Sequence, residues 1–480
     1  MGNSRELWHT IHNLLKTQIE FGVYRLGDSL PTMKEAGGYF LASVDTVRLA
    51  YLRLKEENYI SLSTSVGATV IVPFSEKDIQ RHIQDYFVCR RSAMLDLVQS
   101  LMLLFGYGRW LALKNASPQM LDELERISLC KELPSPYRMS RYLLLIYGNL
   151  HNDLFTRLIW QVFLFMQVPF LSIPQNVNYF DQDRDPIMGM VRLCRAQDWD
   201  QLWNAVLFYR ETLVTSLTQF YDKAVPLCDD VKQIGFSWSI YKKASQLCYS
   251  LCEELLHSIH RGEYLAGDFL PSPAKLAEEK GVSVNTIRRT IALLNKLGAT
   301  RSINGVGTKV LSPLDSAENC DLSDVTIQKR LLDFVKSFHI LALSCRLSAK
   351  LTVESMDTTT INGWVAQMEE VKRRGVYEDF IYICYRYIAA YAPYRAIRTV
   401  YAELARQLFW GFPLRNVHGN REETNAYFLP YLEEMAGYLR QADASSFSKK
   451  LEELQIAETK LTAQYLADRG IMDAGSLLIP

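Results

Sequence analysis

This chain carries no excess of positive or negative charge. Its 53 lysines and arginines are balanced by 53 aspartates and glutamates. No global basic field draws it to a polyanion, so any nucleic acid must meet a local patch. Cysteines are dispersed: of nine, only Cys248 and Cys252 lie close, four apart, where a helix makes them neighbours on one face. No CxxC pair or Cys/His group has zinc spacing, which excludes a zinc ribbon and a disulfide framework. The pattern predicts small buried thiols in a reducing compartment. Long hydrophobic runs are scarce too. The most apolar, Leu158 to Ile173, is interrupted by Gln161, Gln167 and Pro169 and is shorter than the ~20 residues of a bilayer span. It reads as a buried bundle helix. The start, Met1-Gly2-Asn3-Ser4-Arg5-Glu6, lacks the basic and apolar parts of a signal peptide. A soluble, cytoplasmic protein with no membrane partner is the expectation.

Catalytic patterns are also missing. There is no nucleophile elbow, phosphate loop, HExxH pair or kinase set. Asn304-Gly305-Val306-Gly307 carries two glycines, but not between a strand and a helix. We expect no enzyme, no catalytic residue, no cofactor and no metal.

What is present is a repeat. Ile19 to Thr32 reads Ile-Glu-Phe-Gly-Val-Tyr-Arg-Leu-Gly-Asp-Ser-Leu-Pro-Thr, and Ile259 to Ser272 reads Ile-His-Arg-Gly-Glu-Tyr-Leu-Ala-Gly-Asp-Phe-Leu-Pro-Ser. The offset of 240 residues holds without a gap from Ile19/Ile259 to Val70/Val310. Ser43-Val44-x-Thr46-x-Arg48 is matched by Ser283-Val284-x-Thr286-x-Arg288, and Val66-Gly67 by Val306-Gly307. So long a period is no solenoid unit; it predicts a duplicated whole protein.

Each copy spells out the same elements. Leu7, Ile11, Leu14, Leu15 and Ile19 recur at helical spacing and stop at Gly22; Cys252, Leu255, Leu256 and Ile259 stop at Gly262. Leu30 and Leu270 precede proline and are extended. Thr32, with Glu35 three residues on, and Ser272, followed by Pro273, are N-caps of a second helix. Ser43 and Ser283 cap a third, whose inner face is assigned to Leu52 and Leu54, or to Leu293, Leu294 and Leu297. Asn58 and Gly298 end it where a positive φ is cheap. Two short strand-like runs then make a hairpin. Helix, helix, turn, helix, hairpin is a winged helix-turn-helix.

These residues resemble the GntR family of bacterial transcription regulators over about 65 residues at each site. The order Ile-x-x-Gly, Gly-Asp-x-Leu-Pro-Ser/Thr, Ser-x-x-Thr-x-Arg and Gly-x-x-Val occurs twice. The resemblance implies that the third helix enters the major groove and that the glycine wing reaches the minor groove or backbone. Carried over, the DNA contacts of copy one are Thr32, Lys34, Ser43, Asp45, Thr46, Arg48 and Gly67. Those of copy two are Ser272, Ser283, Asn285, Thr286, Arg288, Arg289, Asn304, Gly305, Gly307 and Lys309. Arginine there can clamp phosphate or read guanine, and asparagine can read adenine. Both copies depart from the family where an acid-arginine pair is usual: Met33-Lys34 and Pro273-Ala274 stand there, and Val44 or Val284 follows the capping serine.

The copies are unequal. Up to Pro73, copy one has seven basic and seven acidic residues; from Tyr241 to Pro313, copy two has ten basic and six acidic. Phosphate neutralisation dominates non-specific affinity, so copy two is expected to bind more strongly. Asp45 sits on the reading helix of copy one, and Leu41 occupies its turn where copy two has Gly281.

The remaining segments have helical periodicity, as in Met94-Leu97-Val98-Leu101 and Leu331-Phe334-Val335-Phe338, and each predicts a bundle of about six helices. Leu95 to Ser100 echoes Leu332 to Ser337, and Met190 to Asp198 echoes Met435 to Asp443. Head plus helical tail is similar to the fatty-acid-responsive GntR branch, which implies a small acidic effector in the bundle. The Asp and three His that often hold a metal there are absent. His151 and Asp153 are the nearest fragment, and Tyr385, Arg386 and Arg395, beside Tyr377, Tyr382, Tyr387, Tyr391 and Tyr394, are candidates for an acid pocket. Such an aromatic stripe also fits plain core.

The expected fold is mainly α: winged-helix heads at 1–74 and 241–314, helical effector or dimerisation domains at 75–240 and 315–480. The expected function is a sequence-specific regulator whose two heads, on an intramolecular pseudo-dimer, read an imperfect palindrome in double-stranded DNA under control of an acidic small molecule; a homodimer is compatible with this. The alternative is a protein-interaction scaffold with a degenerate first head.

Overall fold

The computed structural model describes residues 4–40, 42–63, 67–130, 135–179, 185–228, 231–240, 247–312 and 316–480. Leu41, Val66, Lys242 and Lys243, which entered the comparison of the copies, lie outside them. The chain divides into two units, 1–237 with 394–396, and 238–393 with 397–480. Helix dominates both.

Unit 1 opens with α1 (Ser4–Glu20), α2 (Met33–Phe40) and α3 (Val44–Glu56), then the antiparallel hairpin β1 (Ile60–Ser63) and β2 (Gly67–Val70), with Ile60 opposite Val70. Unit 2 repeats the order with α13 (Leu247–His260), β3 (Phe269–Leu270), α14 (Pro273–Lys280), α15 (Val284–Lys296), β4 (Thr300–Ile303) and β5 (Gly307–Val310). Its sheet order is β3-β5-β4, and Phe269 pairs with Lys309 where Ser29 bridges Thr69 in unit 1. Local sequence explains the frame. The Gly27 and Gly267 amides donate to the Val70 and Val310 carbonyls, each at 2.9 Å. The Asp28 and Asp268 carboxylates accept from the backbone three residues earlier at 2.7 and 2.8 Å. Asn58 and Gly298 take φ of 61° and 76°, and the next amides donate to Leu54 and Leu294. Ile11, Leu14, Leu15, Val47, Tyr51 and Leu54 fill the core of the first head; Leu255, Leu256, Ile287, Leu294 and Leu297 fill the second.

Leu52 corrects one expectation. It is 40% exposed, and Tyr51 takes the inward position, its hydroxyl donating to the Pro31 carbonyl at 2.6 Å. The third helix is therefore rotated relative to the assignment made from leucines alone.

The helical part of unit 1 comprises α4 (Glu76–Val88), α5 (Arg91–Leu101), α6 (Tyr107–Lys114), α7 (Pro118–Leu129), α8 (Ser135–Gly148), α9 (Asp153–Val162), α10 (Val168–Leu171), α11 (Pro186–Ala196) and α12 (Trp199–Ala224). π turns at Met102–Gly106 and Phe163–Gln167 join α5 to α6 and α9 to α10 without breaking either rod. The rod Asp153–Leu171 is long and apolar enough to cross a membrane by length and composition, but two thirds of its most apolar window is buried in the protein, as in a core helix. Pro169 opens α10 instead of ending the rod.

Unit 2 continues with the short α16 (Ser316–Asn319), the 30-residue α17 (Val325–Glu354), α18 (Thr358–Arg374), α19 (Asp379–Tyr391), α20 (Arg395–Gln407), a 3-10 segment (Leu408–Leu414), α21 (Arg421–Arg440), α22 (Ala444–Ala467) and α23 (Met472–Gly475). Two local details match between the units. Gln197 and Ala442 are non-glycine residues at φ 55° and 54°. Each precedes an aspartate N-cap, Asp198 (φ −87°, ψ 83°) or Asp443 (φ −81°, ψ 80°), that starts a long helix, α12 or α22.

Candidate nucleic-acid interface

The third helix of unit 2 begins where the chain leaves extended geometry. Ser283, at φ −70° and ψ 146°, accepts from the Thr286 amide at 3.1 Å, and the two hydroxyls lie 2.8 Å apart. The same amide also lies 3.0 Å from the Ser283 carbonyl, so the capping serine holds the first turn by side chain and backbone together. Ile287, Thr290, Ile291 and Leu294 face inward. The outward row is then Asn285, Arg288, Arg289, Ala292 and Lys296, all exposed. Arg288 has no ion pair among the described residues. Lys296 donates to Asp324 at 2.5 Å, and this hydrogen bond raises the ammonium pKa.

The preceding helix is set by Ser272, which accepts from the Lys275 amide, and by Pro273 in its first turn. It ends at Gly281 in the left-handed region, φ 63°. The wing turns through Gly305 (φ 72°) and Gly307 (φ 146°), with Asn304 and Val306 at its exposed tip and Lys309 exposed on β5. Thr286 is half-buried beneath this surface.

In unit 1 the same positions carry different chemistry. The outward row of α3 is Asp45, Arg48, Leu49, Leu52 and Glu56. Arg48 lies 3.9 Å from Asp45, and Arg53 pairs with Glu56 at 3.1 Å and Glu57 at 2.9 Å. Val44, Leu49 and Leu52 leave an apolar stripe in solvent. Thr46 corrects a second expectation: it is 3% exposed, its hydroxyl engaged with Ser43 at 2.8 Å, and it cannot reach a base edge. Thr32, Lys34, Ser43 and Gly67 are exposed. Thr32 and Glu35 form the expected capping box, and the hydrogen bonds from Thr32 lower the Glu35 pKa.

Residues 250–310 match the family model of bacterial regulatory proteins, gntR family. That segment is similar to a GntR-type helix-turn-helix region. The GntR-type match is to regulators, not to a catalyst. An HTH-type transcriptional regulator of Bacillus subtilis (strain 168), YhcF, itself uncharacterised, is 27% identical over 104 residues, 22% of this chain and 84% of that protein. Among solved structures, Streptococcus agalactiae GntR is 18% identical, covering 44% of this chain and 99% of its own at a TM-score of 0.22. E. coli McbR/YncC is 21% identical, covering 45% and 98%, at 0.23. Superpositions that loose establish no shared function.

The residues proposed for an effector are not brought together. Tyr385 is fully buried and donates to Gln455 at 2.6 Å, while Arg386 on the same helix is exposed over the Tyr382 ring. Tyr387 stacks on Trp364 at 4.7 Å, so the aromatic stripe is largely core. Arg395 is exposed at the start of α20; His151 is exposed at φ 54°, and Asp153 opens α9. A periodic stripe could not reveal this, because one helix face in a bundle meets several neighbours. Among the described residues no three His, Cys, Asp or Glu side chains gather as a metal site. Sequence reasoning passed over Arg109 and Gln167, each 8% exposed and both lining one cavity. A lone arginine inside the apolar run Leu101 to Leu113 was the available signal.

Proposed function

We propose that this chain is a sequence-specific DNA-binding transcription regulator whose second head does most of the gripping. The observation that carries this is the outward row of α15, where Asn285, Arg288 and Arg289 stand exposed beside the wing residues Asn304, Gly305, Gly307 and Lys309. Ser272, Ser283 and Thr286 position that row and add phosphate-binding hydroxyls. Thr32, Lys34, Ser43, Asp45, Arg48 and Gly67 form a weaker second reader, because Asp45 stands beside Arg48 and repels phosphate. One chain carrying both readers would recognise an imperfect palindrome, since covalent linkage raises the effective concentration of the second head and lets the halves diverge. The paired backbone hydrogen bonds 240 residues apart support this duplication. Control by a small acidic effector in the helical parts belongs to the same reading.

The test is fluorescence anisotropy on selected genomic DNA. Arg288→Ala with Arg289→Ala should weaken binding by about tenfold or more, and Arg48→Ala by less than about threefold. Equal losses would reject the asymmetry.

A second reading has its own support. The exposed Val44, Leu49 and Leu52 on α3 suit a protein partner better than a groove of phosphates. If Lys34 and Arg48 together can be replaced by alanine without changing DNA affinity or its salt slope, the first head is a scaffold.

A further inference from the structure

The two wings differ on one face. In the second, residues of β3, β5 and β4 alternate between inside and outside. Leu270, Thr300, Thr308 and Val310 are buried, and Thr300 donates to Asn295 of α15 at 2.7 Å. Phe269 pairs with Lys309, and Lys309 with Arg301, so the three side chains form one row across the outer face. Gly307 and Ile303, also a pair, form the next row. All five residues are exposed.

The first wing has the same register and none of this chemistry. Ser29 bridges Thr69, and Thr69 pairs with Ser61, so the row itself is present. It carries three small hydroxyl residues where the second wing has Phe269, Lys309 and Arg301, and Ser63 stands in the place of Ile303. Four small side chains therefore suffice for the hairpin. An aromatic ring, two cations and a branched aliphatic group call for another reason.

Phe269 is 45% exposed. A Cβ at position 307 would come within 3.2 Å of its ring, so Gly307 leaves the ring its place on the sheet. Among the described residues no other ring stacks on Phe269 and no cation stands over it. Lys309 and Arg301 have no ion pair among the described residues; Arg301 donates to the neutral Asn319 side chain at 2.7 Å. The strands β3, β4 and β5 contain no carboxylate. Asp268, next to Phe269, is engaged in its own turn, accepting from the Leu265 amide at 2.8 Å. Strand spacing sets the two ends of the row about 10 Å apart.

We propose that the outer face of the second wing binds single-stranded DNA, with one base stacked on Phe269 and the adjoining phosphates on Lys309 and Arg301. An open aromatic ring accepts the face of any base, and cations beside it hold the backbone. A duplex cannot use the ring in this way, because its base faces are stacked on one another and only edges and phosphates are offered. An acidic peptide would engage the cations and leave the ring idle. Gly307 and Ile303, beside the ring, give a 2′-hydroxyl no side-chain hydrogen bond, which favours DNA over RNA. The site goes beyond the duplex reading and stands without it; Lys309 alone is shared with the wing contacts proposed for the duplex.

The full chain is titrated by fluorescence anisotropy with a labelled oligothymidylate of about ten nucleotides. A strand of equal length and charge without bases, the matching oligouridylate and a genomic duplex are titrated alongside. The oligothymidylate should bind about tenfold more tightly than the baseless strand. Phe269→Ser, which installs the residue of the first wing, should erase that preference and change duplex affinity less than about twofold. Phe269→Leu keeps bulk against Gly307 but loses the ring; it should erase the preference too, and it decides the matter if Phe269→Ser fails to fold. Arg301→Ser should reduce the log–log salt slope for the single strand by about 0.7. Ser29→Phe, Thr69→Lys and Ser61→Arg together should let the chain bind a second equivalent of strand. Equal binding of the baseless strand, or an undiminished preference in both well-folded Phe269 variants, overturns the proposal. Tighter binding of the oligouridylate overturns the assignment to DNA. Single-strand binding in a chain that shows no duplex preference supports the site and counts against the regulatory reading alone.

Discussion

Glu253, on α13, is 2% exposed and accepts from Trp410 Nε1 at 2.6 Å and Gln407 Nε2 at 2.8 Å, with Arg406 at 3.3 Å. Burial pushes its carboxyl up to about 8; Arg406, Trp410 and Gln407 pull it down, and the Glu403 charge adds to the rise. The folded state therefore holds a proton that the unfolded chain releases near its ordinary value, and stability falls as pH rises toward 8. His260 and His339 work oppositely: burial lowers them to about 3 and about 4, so their contribution is present above the ordinary histidine value and fades below it. From pH ~7.5, one unit above the ordinary histidine value, the histidines are essentially neutral in both states, and Glu253 sets the slope. Thermal melting should show unit 2 losing roughly 1–2 °C between pH ~7.5 and ~8.5. Glu253→Gln should flatten the profile; an unchanged slope in that variant would refute the buried neutral carboxyl.

At the scale of elements, α15 of the second head is held by its ends. Ser283 satisfies the Thr286 amide, and its replacement by alanine should cost about 1 kcal/mol. Gly281 ends α14 at φ 63°, where any Cβ is strained; Gly281→Ala should cost about 1 kcal/mol, read as a lower denaturant midpoint at unchanged slope. These devices were legible in the chain because they are local: Thr32 with Glu35, Ser272 with Pro273, Ser43, Ser283, Asn58 and Gly298 each act within a few residues of themselves. Rotation of a helix was not legible. Leu52 looked inward by its chemistry and lies outward, while Thr46 looked like a contact and is buried. Only the packing of Val47, Tyr51 and Leu54 against α1 settles which face turns in. The π turns were invisible for the same reason, since no residue type encodes an extra residue in a turn.

On the scale of the whole molecule, net charge is zero, and attraction to DNA has to be local. Selected genomic fragments should therefore contain two related but unequal half-sites, and binding should weaken steeply with salt. Fragments holding one isolated half-site, with a shallow salt dependence, would reject the two-headed reading. Each head is also built into its own bundle: Tyr137, on α8, donates to Gln18 on α1 at 2.8 Å, and Glu253 ties α13 to Gln407 and Trp410.

Sequence alone determined the repeated order of elements, the caps and glycine turns that bound them, and the charge difference between α3 and α15. All of these follow from the preferences of a residue and its near neighbours. Tertiary structure decided which face of each helix is exposed, how Tyr385 and Arg386 part company, and that Arg109 points inward without a carboxylate. Those outcomes depend on packing between segments far apart in the chain, where a rotation of one residue exchanges solvent for core.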